Sequence, residues 1–210
     1  MDAAVFRAWI VAAAEVIEAN RDHLTQLDAA IGDADHGINL ARGFTAVLGA
    51  LDDASPRAPG AILTLAGNTL ISRVGGASGP LYGTAFRRAG KSLGDAADVD
   101  LPALSAALDA ALAGIQQLGA AREGDKTMVD ALAPATRAFS KAIAEGAAAD
   151  EALGSLAEAA EAGAEATIPM QALKGRASYL GPRSVGHEDP GAVSTALILG
   201  ALRDAARAGR

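Results

Sequence analysis

Residues 101–119 read LPALSAALDAALAGIQQLG, and this stretch carries the pattern on which the fold depends. Its larger apolar residues recur at intervals of three or four, at Leu104, Leu108, Leu112 and Ile115. This spacing places them on one face of an α-helix. Pro102 closely follows Asp100, and proline is well tolerated in a first turn. The stretch therefore predicts an amphipathic helix that starts after Asp100.

The same helical spacing continues on both sides of this stretch, and strand-like alternation is nearly absent. Short clusters of Gly and Pro separate the periodic segments. We predict eight helices, over about 3–27, 37–54, 60–74, 80–93, from 101, from 127, 151–166 and from 190 to the C-terminus. Asp189 is the predicted N-cap of the last helix, with Pro190 in its first turn. Alanine, the best helix former, supplies 54 of 210 residues. We therefore expect an all-α fold, a bundle or closed ring of antiparallel helices forming one domain over residues 1–210.

The charge and the residue usage exclude several classes of protein. The formal net charge is −7 and no basic stripe is visible, which argues against a nucleic-acid surface. The absence of cysteine excludes disulfides, thiol catalysis and thiolate metal sites. The N-terminus has no basic segment of the signal-peptide kind, and no apolar stretch is long enough to cross a bilayer. We expect a cytoplasmic protein that is not bound to a membrane.

Three carboxylates fall within eight residues, at Asp28, Asp33 and Asp35, between two predicted helices. Residues two apart in an extended loop point the same way, so Asp33 and Asp35 can converge on one ion with Asp28 nearby. Hard oxygen ligands suit magnesium or calcium. An EF-hand is excluded, since the twelfth residue from Asp33 is Phe44 instead of Glu. The structural alternative is that Asp35 caps a helix and Asp33 forms an Asx-turn.

Three further loops could hold a phosphate. Residues 75–84 are small and open a helix, where backbone amides and the helix dipole favour an anion. Residues 124–127 contain Asp125, which we predict to be the N-cap of the next helix, and Lys126, which we interpret as a solvated charge. Residues 175–184 form a long loop in which Arg176 or Arg183 could stabilise a transferring phosphoryl group. Each loop also has a plain structural interpretation, such as glycines for close helix contact.

The three histidines do not form a metal triad. His23 lies on a predicted helix, and His187 lies beside acidic residues where a loop role is equally expected. His36 adjoins the carboxylates and is the best placed for chemistry. No Gly-x-Ser-x-Gly motif supports a serine hydrolase.

These motifs, taken together, resemble the L subunit of dihydroxyacetone kinase. The segments that carry the resemblance are LDAAIGDADHGIN (27–39), GASGPLYGT (76–84), GDKTM (124–128) with Asp130, ASYLG (177–181) and GHEDPGA (186–192). They occur in order along nearly the whole chain. Each is weak alone, but as a set they are specific.

The resemblance implies a barrel of eight amphipathic antiparallel helices. It implies that Asp28, Asp33 and Asp35 hold two magnesium ions against the phosphates of ADP or ATP, and that Arg176 assists catalysis. The positions that match nucleotide-contacting residues of the family are His36, Asn39, Ala77, Ser78, Gly119, Met128, Arg176, Asp189 and Gly191.

The resemblance also implies a division of labour between chains. In the family, a separate K subunit holds dihydroxyacetone covalently, and some L subunits keep ADP bound while a phosphotransferase-system protein recharges it. The absence of a K-like region matches a separate L subunit, and a homodimer is compatible with this. The alternatives are an ATP-dependent kinase subunit for another triose or tetrose, a relative of the fatty-acid kinase nucleotide domain, a non-catalytic nucleotide-binding regulatory partner, and a plain structural bundle.

Overall fold

The computed structural model describes residues 1–209, and within them every regular element is helical apart from one isolated bridge, between Asp2 and Asp98. A short 3₁₀ helix also spans Arg176–Ser184. The α-helices are α1 (Ala3–Ala19), α2 (Arg21–Ile31), α3 (His36–Ala54), α4 (Pro59–Arg73), α5 (Ser78–Leu93), α6 (Leu101–Gly119), α7 (Val129–Ala144), α8 (Ala149–Glu165) and α9 (Pro190–Ala208).

Eight of these helices form a closed ring. In the order α1, α3, α4, α5, α6, α7, α8 and α9, each packs against the next, and α9 returns to α1. The all-α fold and the closed bundle are therefore confirmed, whereas the count of eight helices is wrong. The first predicted helix, residues 3–27, divides at Asn20, whose backbone leaves the helical region (φ −103°, ψ 10°). The second half becomes α2, which lies outside the ring.

Neighbouring helices of the ring run antiparallel, so their ends alternate. Arg7 near the start of α1 donates to Leu51 near the end of α3, and Arg88 of α5 donates to Gln117 of α6. One end of the ring therefore collects the N-termini of α3, α5, α7 and α9. The four loops at that end are residues 32–35, 74–77, 120–128 and 166–189.

Both described ends of the chain lie at the opposite end of the ring. The Met1 amino group donates to the Val99 carbonyl at 2.8 Å, and the Val99 amide donates to the Met1 carbonyl at 2.9 Å. Gly209 lies beside the side chain of Val5. The first and last helices are thus fixed to the same end as the loop between α5 and α6.

A continuous apolar core fills the ring, and its few aromatic residues meet in the middle. Trp9 contacts Phe6 and Phe86 at ring-centroid distances of 5.9 and 5.7 Å, and Phe44 contacts Phe86 at 6.2 Å. The indole N–H of Trp9 donates to the Ile198 carbonyl at 2.9 Å, so its polar atom is satisfied inside the core. That the chain forms one domain stays a prediction. No helix within residues 1–209 has both the length and the apolar character needed to cross a membrane.

Glycines allow α4 and α5 to approach closely. A Cβ atom on Gly67 would lie 2.5 Å from the Gly83 carbonyl oxygen and 2.7 Å from the Arg87 amide nitrogen. A Cβ atom on Gly90 would lie 2.5 Å from the Gly60 carbonyl oxygen. These neighbours are backbone atoms and cannot move without shifting a helix, so α4 and α5 pack backbone to backbone.

We expect Gly67→Ala to destabilise the protein by about 1–3 kcal/mol, as overpacking of a tight interior does. The control is Gly49→Ala on α3, where an added Cβ meets nothing within 4 Å. That change should instead stabilise the protein by up to about 1 kcal/mol, through the higher helix propensity of alanine. Urea unfolding of both variants tests this, and equal shifts in the same direction would contradict the close contact of α4 and α5.

Candidate functional site

The carboxylate loop folds back onto the last turn of α2. The Oδ2 atom of Asp28 accepts hydrogen bonds from the Asp35 amide at 2.8 Å and the His36 amide at 3.1 Å. Ala34 takes up the left-handed region at φ 62°, which lets the chain reverse. A Cβ on Gly32 would collide with Oδ1 of Asp28, so this position requires glycine. The loop is therefore built around the Asp28 carboxylate.

This fold brings the three predicted carboxylates together. One oxygen from each of Asp28, Asp33 and Asp35 lies within 4.8 Å of the other two, and across residues 1–209 no other set of three potential ligands meets this criterion. Asp28 is buried, Asp35 is partly buried and Asp33 is exposed. Like charges this close repel one another unless a cation lies between them. An all-oxygen ligand set suits magnesium, so the residues fit the predicted metal.

A cavity of about 180 Å³ opens next to the carboxylates, where the four loops of that end meet. Ten of the twelve predicted site residues line it, namely Asp28, Asp33, Asp35, His36, Ala77, Ser78, Met128, Arg176, Asp189 and Gly191. The other two lie nearby but outside the lining. Asn39 is buried and accepts a hydrogen bond from Arg42 at 2.8 Å, while Gly119 lies behind Leu81, which itself lines the cavity.

A larger groove of about 1130 Å³ runs along the outside of α4, α5 and α6. It is lined by basic and small residues and contains none of the predicted site residues. The smaller cavity is the better candidate for the functional site, because of the two it alone has the carboxylate cluster and the helix N-termini.

The electrostatics of the cavity favour a phosphate bound together with a cation. α3, α5, α7 and α9 all direct their N-terminal amides and positive dipole ends toward this end of the ring. Ala77 and Ser78 begin α5 in the segment of small residues, where the backbone is open to an anion. The carboxylates attract the metal, and the helix ends attract the phosphate.

A chain of buried polar groups forms the floor beside His36. Its Nε2 atom lies 2.8 Å from Oγ of Ser194, which lies 2.7 Å from the hydroxyl of Tyr82, itself 2.8 Å from Oγ1 of Thr195. Burial lowers the pKa of His36 to about 4, although the negative charge of Asp28 opposes this. Burial raises the pKa of the Tyr82 hydroxyl, because in both residues it disfavours the charged form. His36 and Tyr82 are therefore neutral hydrogen-bonding groups near pH 7.

Arg176 begins the 3₁₀ helix and reaches across to the carboxylates. Its Nε atom lies 2.9 Å from Oδ2 of Asp33, and both side chains are largely exposed, so the pair itself contributes little to stability. Arg183, the other candidate in this loop, is not part of the cavity lining. Arg176 is therefore the arginine that can reach a phosphate held at Asp33.

Asp189 caps α9 at the back of the cavity, as predicted, by accepting from the Ala192 amide at 2.8 Å. Burial raises the pKa of Asp189 to about 7, and Asp130 adds to the rise, while the Ala192 amide and Lys126 oppose it. A Cβ on Gly191 would lie 3.0 Å from the Asp189 carboxylate, so a small residue is needed there.

Sequence reasoning was wrong about Lys126 and its neighbours. Lys126 is 1% exposed instead of solvated, and α7 begins at Val129 instead of near Thr127. Asp125 does not cap α7; its carboxylate accepts from the Arg122 amide at 2.9 Å, and Asp130 accepts from the Thr127 amide. The signal that could have located Lys126 was its place in GDKTM, between segments that line the cavity.

The structure is a helical-barrel domain with a candidate metal and phosphate site at one end. The chain belongs to the DAK2 domain family, which matches residues 30–204. The ADP-binding subunit DhaL of the PEP-dependent dihydroxyacetone kinase of Escherichia coli K12 is 40% identical over 199 residues, covering 95% of each chain. The PTS-dependent counterpart from Lactococcus lactis is 40% identical over 194 residues, covering 92% of this chain and 93% of its own.

The resemblance to the L subunit is therefore confirmed, and with it the prediction of a phosphotransferase subunit of the kinase class. Longer relatives also match. The L-erythrulose 1-kinase of Mycolicibacterium smegmatis is 40% identical over 190 residues, which are 90% of this chain and 33% of that one.

Among solved structures, the dihydroxyacetone kinase of C. freundii in complex with AMP-PNP and Mg²⁺ superposes with a TM-score of 0.73 at 30% identity. The match covers 97% of this chain and 34% of that one, so this chain spans about a third of that kinase.

Proposed function

We propose that this chain is the nucleotide-binding subunit of a magnesium-dependent dihydroxyacetone kinase. The observation that carries the proposal is the meeting of three carboxylates and four helix N-termini in one cavity. The full-length relatives support it, since their names describe ADP-binding subunits of such kinases.

In this proposal Asp28, Asp33 and Asp35 hold two magnesium ions. Bound magnesium would neutralise charge on the phosphate oxygens during transfer. The amides at Ala77 and Ser78 orient the phosphates, and His36, Asn39, Gly119, Met128, Asp189 and Gly191 surround the rest of the nucleotide. Catalysis then consists mainly of positioning and electrostatic stabilisation, as is usual for phosphoryl transfer.

Arg176 is the residue that we assign to the transferring phosphoryl group. As the acceptor hydroxyl bonds to the γ-phosphorus, the bond from that phosphorus to the bridging oxygen breaks, and charge grows on the surrounding oxygens. Arg176 already reaches Oδ2 of Asp33, so a modest movement of its exposed side chain would bring it to a phosphate there. A guanidinium can pair with two phosphate oxygens at once.

In this proposal the sugar binds to another chain. The cavity of about 180 Å³ is small, and the residues that line it are the ones assigned to the nucleotide and its phosphates, which leaves little room for a sugar. We therefore propose that a K subunit presents dihydroxyacetone at the open end of the ring, and that a phosphocarrier protein of the phosphotransferase system recharges ADP in place. Homodimer formation stays a prediction.

A second candidate is a subunit that uses free ATP on another short ketose. The 40% identity to an L-erythrulose 1-kinase favours this second candidate. The same cavity could hold either an exchangeable ATP or an ADP that is recharged in place. A non-catalytic nucleotide-binding regulator is disfavoured by the complete carboxylate set, since a regulator need not keep every metal ligand.

Reconstitution separates these functions. The chain is loaded with labelled ADP and mixed with dihydroxyacetone, a K subunit, phosphoenolpyruvate and its phosphocarrier proteins. In one set of controls each component is left out in turn. In another, ATP replaces phosphoenolpyruvate and the phosphocarrier proteins. We expect turnover only with the K subunit and the carriers, and label that stays on the chain for many cycles.

Each other outcome has a definite meaning. Turnover by the chain alone would contradict the division between subunits. Turnover with ATP but not with the carriers, together with loss of label in one cycle, would support the ATP-dependent function. A chain that binds nucleotide and magnesium but supports neither reaction would be a regulator.

A further inference from the structure

Lys126 lies in the loop between α6 and α7, where its side chain is buried and its backbone takes up the left-handed region at φ 60°. Its ammonium group donates to the carbonyl oxygens of Thr167 at 2.8 Å and Met170 at 3.1 Å, and to that of His187. An ammonium has three N–H donors, and all three are used here. Lys126 therefore has no donor left for a phosphate, although it lies at the cavity wall.

The three carbonyls lie at the two ends of the long segment between α8 and α9. Two further hydrogen bonds join the same ends: the Gly186 amide donates to the Ile168 carbonyl at 2.8 Å, and the Asp189 amide donates to Oγ1 of Thr167 at 2.9 Å. Residues 168–186 thus form a loop that is closed at its base, which we name the arginine loop because it carries Arg176. Lys126 closes this base from the side.

Beyond its base, the arginine loop is held by a different set of contacts: the Leu173 amide donates to the Asp125 carbonyl at 3.0 Å, and the Ala172 amide donates to Oγ of the buried Ser184 at 2.9 Å. Its apolar contacts are a small cluster of Ile31, Ala172 and Ala177 with Leu180, separate from the main core. Its ion pair is the exposed contact between Arg176 and Asp33. Because five hydrogen bonds close the base, we expect the base to govern how firmly Arg176 stays over the carboxylates.

We propose that Lys126 is a positioning residue that locks the base of the arginine loop and thereby slows release of the nucleotide. The inference rests on the proposed function, since it needs a nucleotide in the cavity. Removal of the ammonium would leave three carbonyls at the base without this donor, which is costly for buried polar groups. Burial lowers the pKa of Lys126, and the nearby Asp189 carboxylate opposes that effect.

The test measures dissociation of fluorescent ADP with magnesium from the full chain after addition of excess unlabelled ADP. Lys126→Met keeps the apolar stem and removes the donors. We expect release about 10-fold faster, with faster amide hydrogen exchange in residues 171–186 of the nucleotide-free protein. The matched control is Lys141→Met, since Lys141 is exposed on α7 and faces Glu145 at 3.8 Å. That variant should release ADP at the wild-type rate.

A double-mutant cycle with Arg176→Ala separates positioning from general loss of structure. If Lys126 acts through Arg176, Lys126→Met should speed release less than 2-fold in the Arg176→Ala background. Equal fold-changes in both backgrounds, or an unchanged release rate, would overturn the inference. A wild-type chain that binds no ADP would instead contradict the proposed function.

Thr167→Val provides a second variant that keeps the lysine and its charge. It removes the acceptor for the Asp189 amide at the same base and preserves the shape of the buried side chain. We expect several-fold faster release. A folded Thr167→Val protein with wild-type release and exchange would overturn the inference even if Lys126→Met does not fold.

Discussion

Asp33→Asn should weaken binding of ADP in the presence of magnesium by roughly 100-fold, or about 2.8 kcal/mol. Asp33 supplies one of three oxygens that lie within 4.8 Å of one another, and an amide oxygen is a much poorer partner for a divalent cation. Without the cation, the remaining carboxylates and the phosphates repel each other. Calorimetric titration with magnesium and with a chelator measures the effect, and the wild type with chelator should behave like the variant.

Asp22→Asn is the control for this experiment. It makes the same change in net charge on α2, where Asp22 is exposed and pairs with the neighbouring Arg21. Its affinity should stay within about 2-fold of the wild type, since exposed ion pairs contribute little. Equal ADP affinity with and without magnesium in the wild type would rule out the metal bridge.

Arg176→Ala should lower the rate constant of phosphoryl transfer in the reconstituted system by about 1000-fold. An arginine at a transferring phosphoryl group is worth roughly 10³–10⁵ in rate. The effect on transfer should fall mainly on kcat, because the charge that Arg176 stabilises grows in the transition state, whereas its contact with bound ADP affects nucleotide release instead. A single-turnover measurement of phosphoryl transfer, from ATP bound on this subunit to the sugar, isolates this step from nucleotide release.

Arg183→Ala removes the other arginine of the arginine loop and leaves the cavity lining intact. Transfer should then proceed at nearly the wild-type rate. A loss of similar size in both variants would indicate that the loop as a whole, instead of the Arg176 guanidinium, supports transfer.

The helices could be predicted because their signals are local. Apolar spacing and Pro at first turns located α3 to α6, α8 and α9 to within about two residues, and the N-cap at Asp189 is present as expected. The break at Asn20 was missed because both halves keep helical spacing and only a change of direction separates them. That change depends on packing of α2 across the end of the ring, which a local pattern does not contain.

The candidate site was predictable for a different reason. Asp28, Asp33 and Asp35 are close in sequence, so their convergence follows from one short loop. The loop pattern left Arg176 and Arg183 as alternatives, and Asp189 was assigned to the nucleotide only through resemblance to a family, since helical spacing says nothing about which loops share an end of the ring. Lys126 was misjudged because an isolated lysine is usually exposed, and its three partners lie 41 to 61 residues away.

The position of the chain ends has a consequence for how such domains evolve. Met1 and Gly209 lie at the end of the ring opposite the cavity. A second domain joined by a linker at either end would leave the mouth of the cavity free for a docking partner. The same barrel can therefore serve as an independent subunit or as a fused module, which is consistent with relatives such as L-erythrulose 1-kinase, of whose length this chain covers 33%. Gene fusion or fission would then change whether the two domains are linked, and with it the effective concentration of one domain at the other, while the residues of the cavity stay the same.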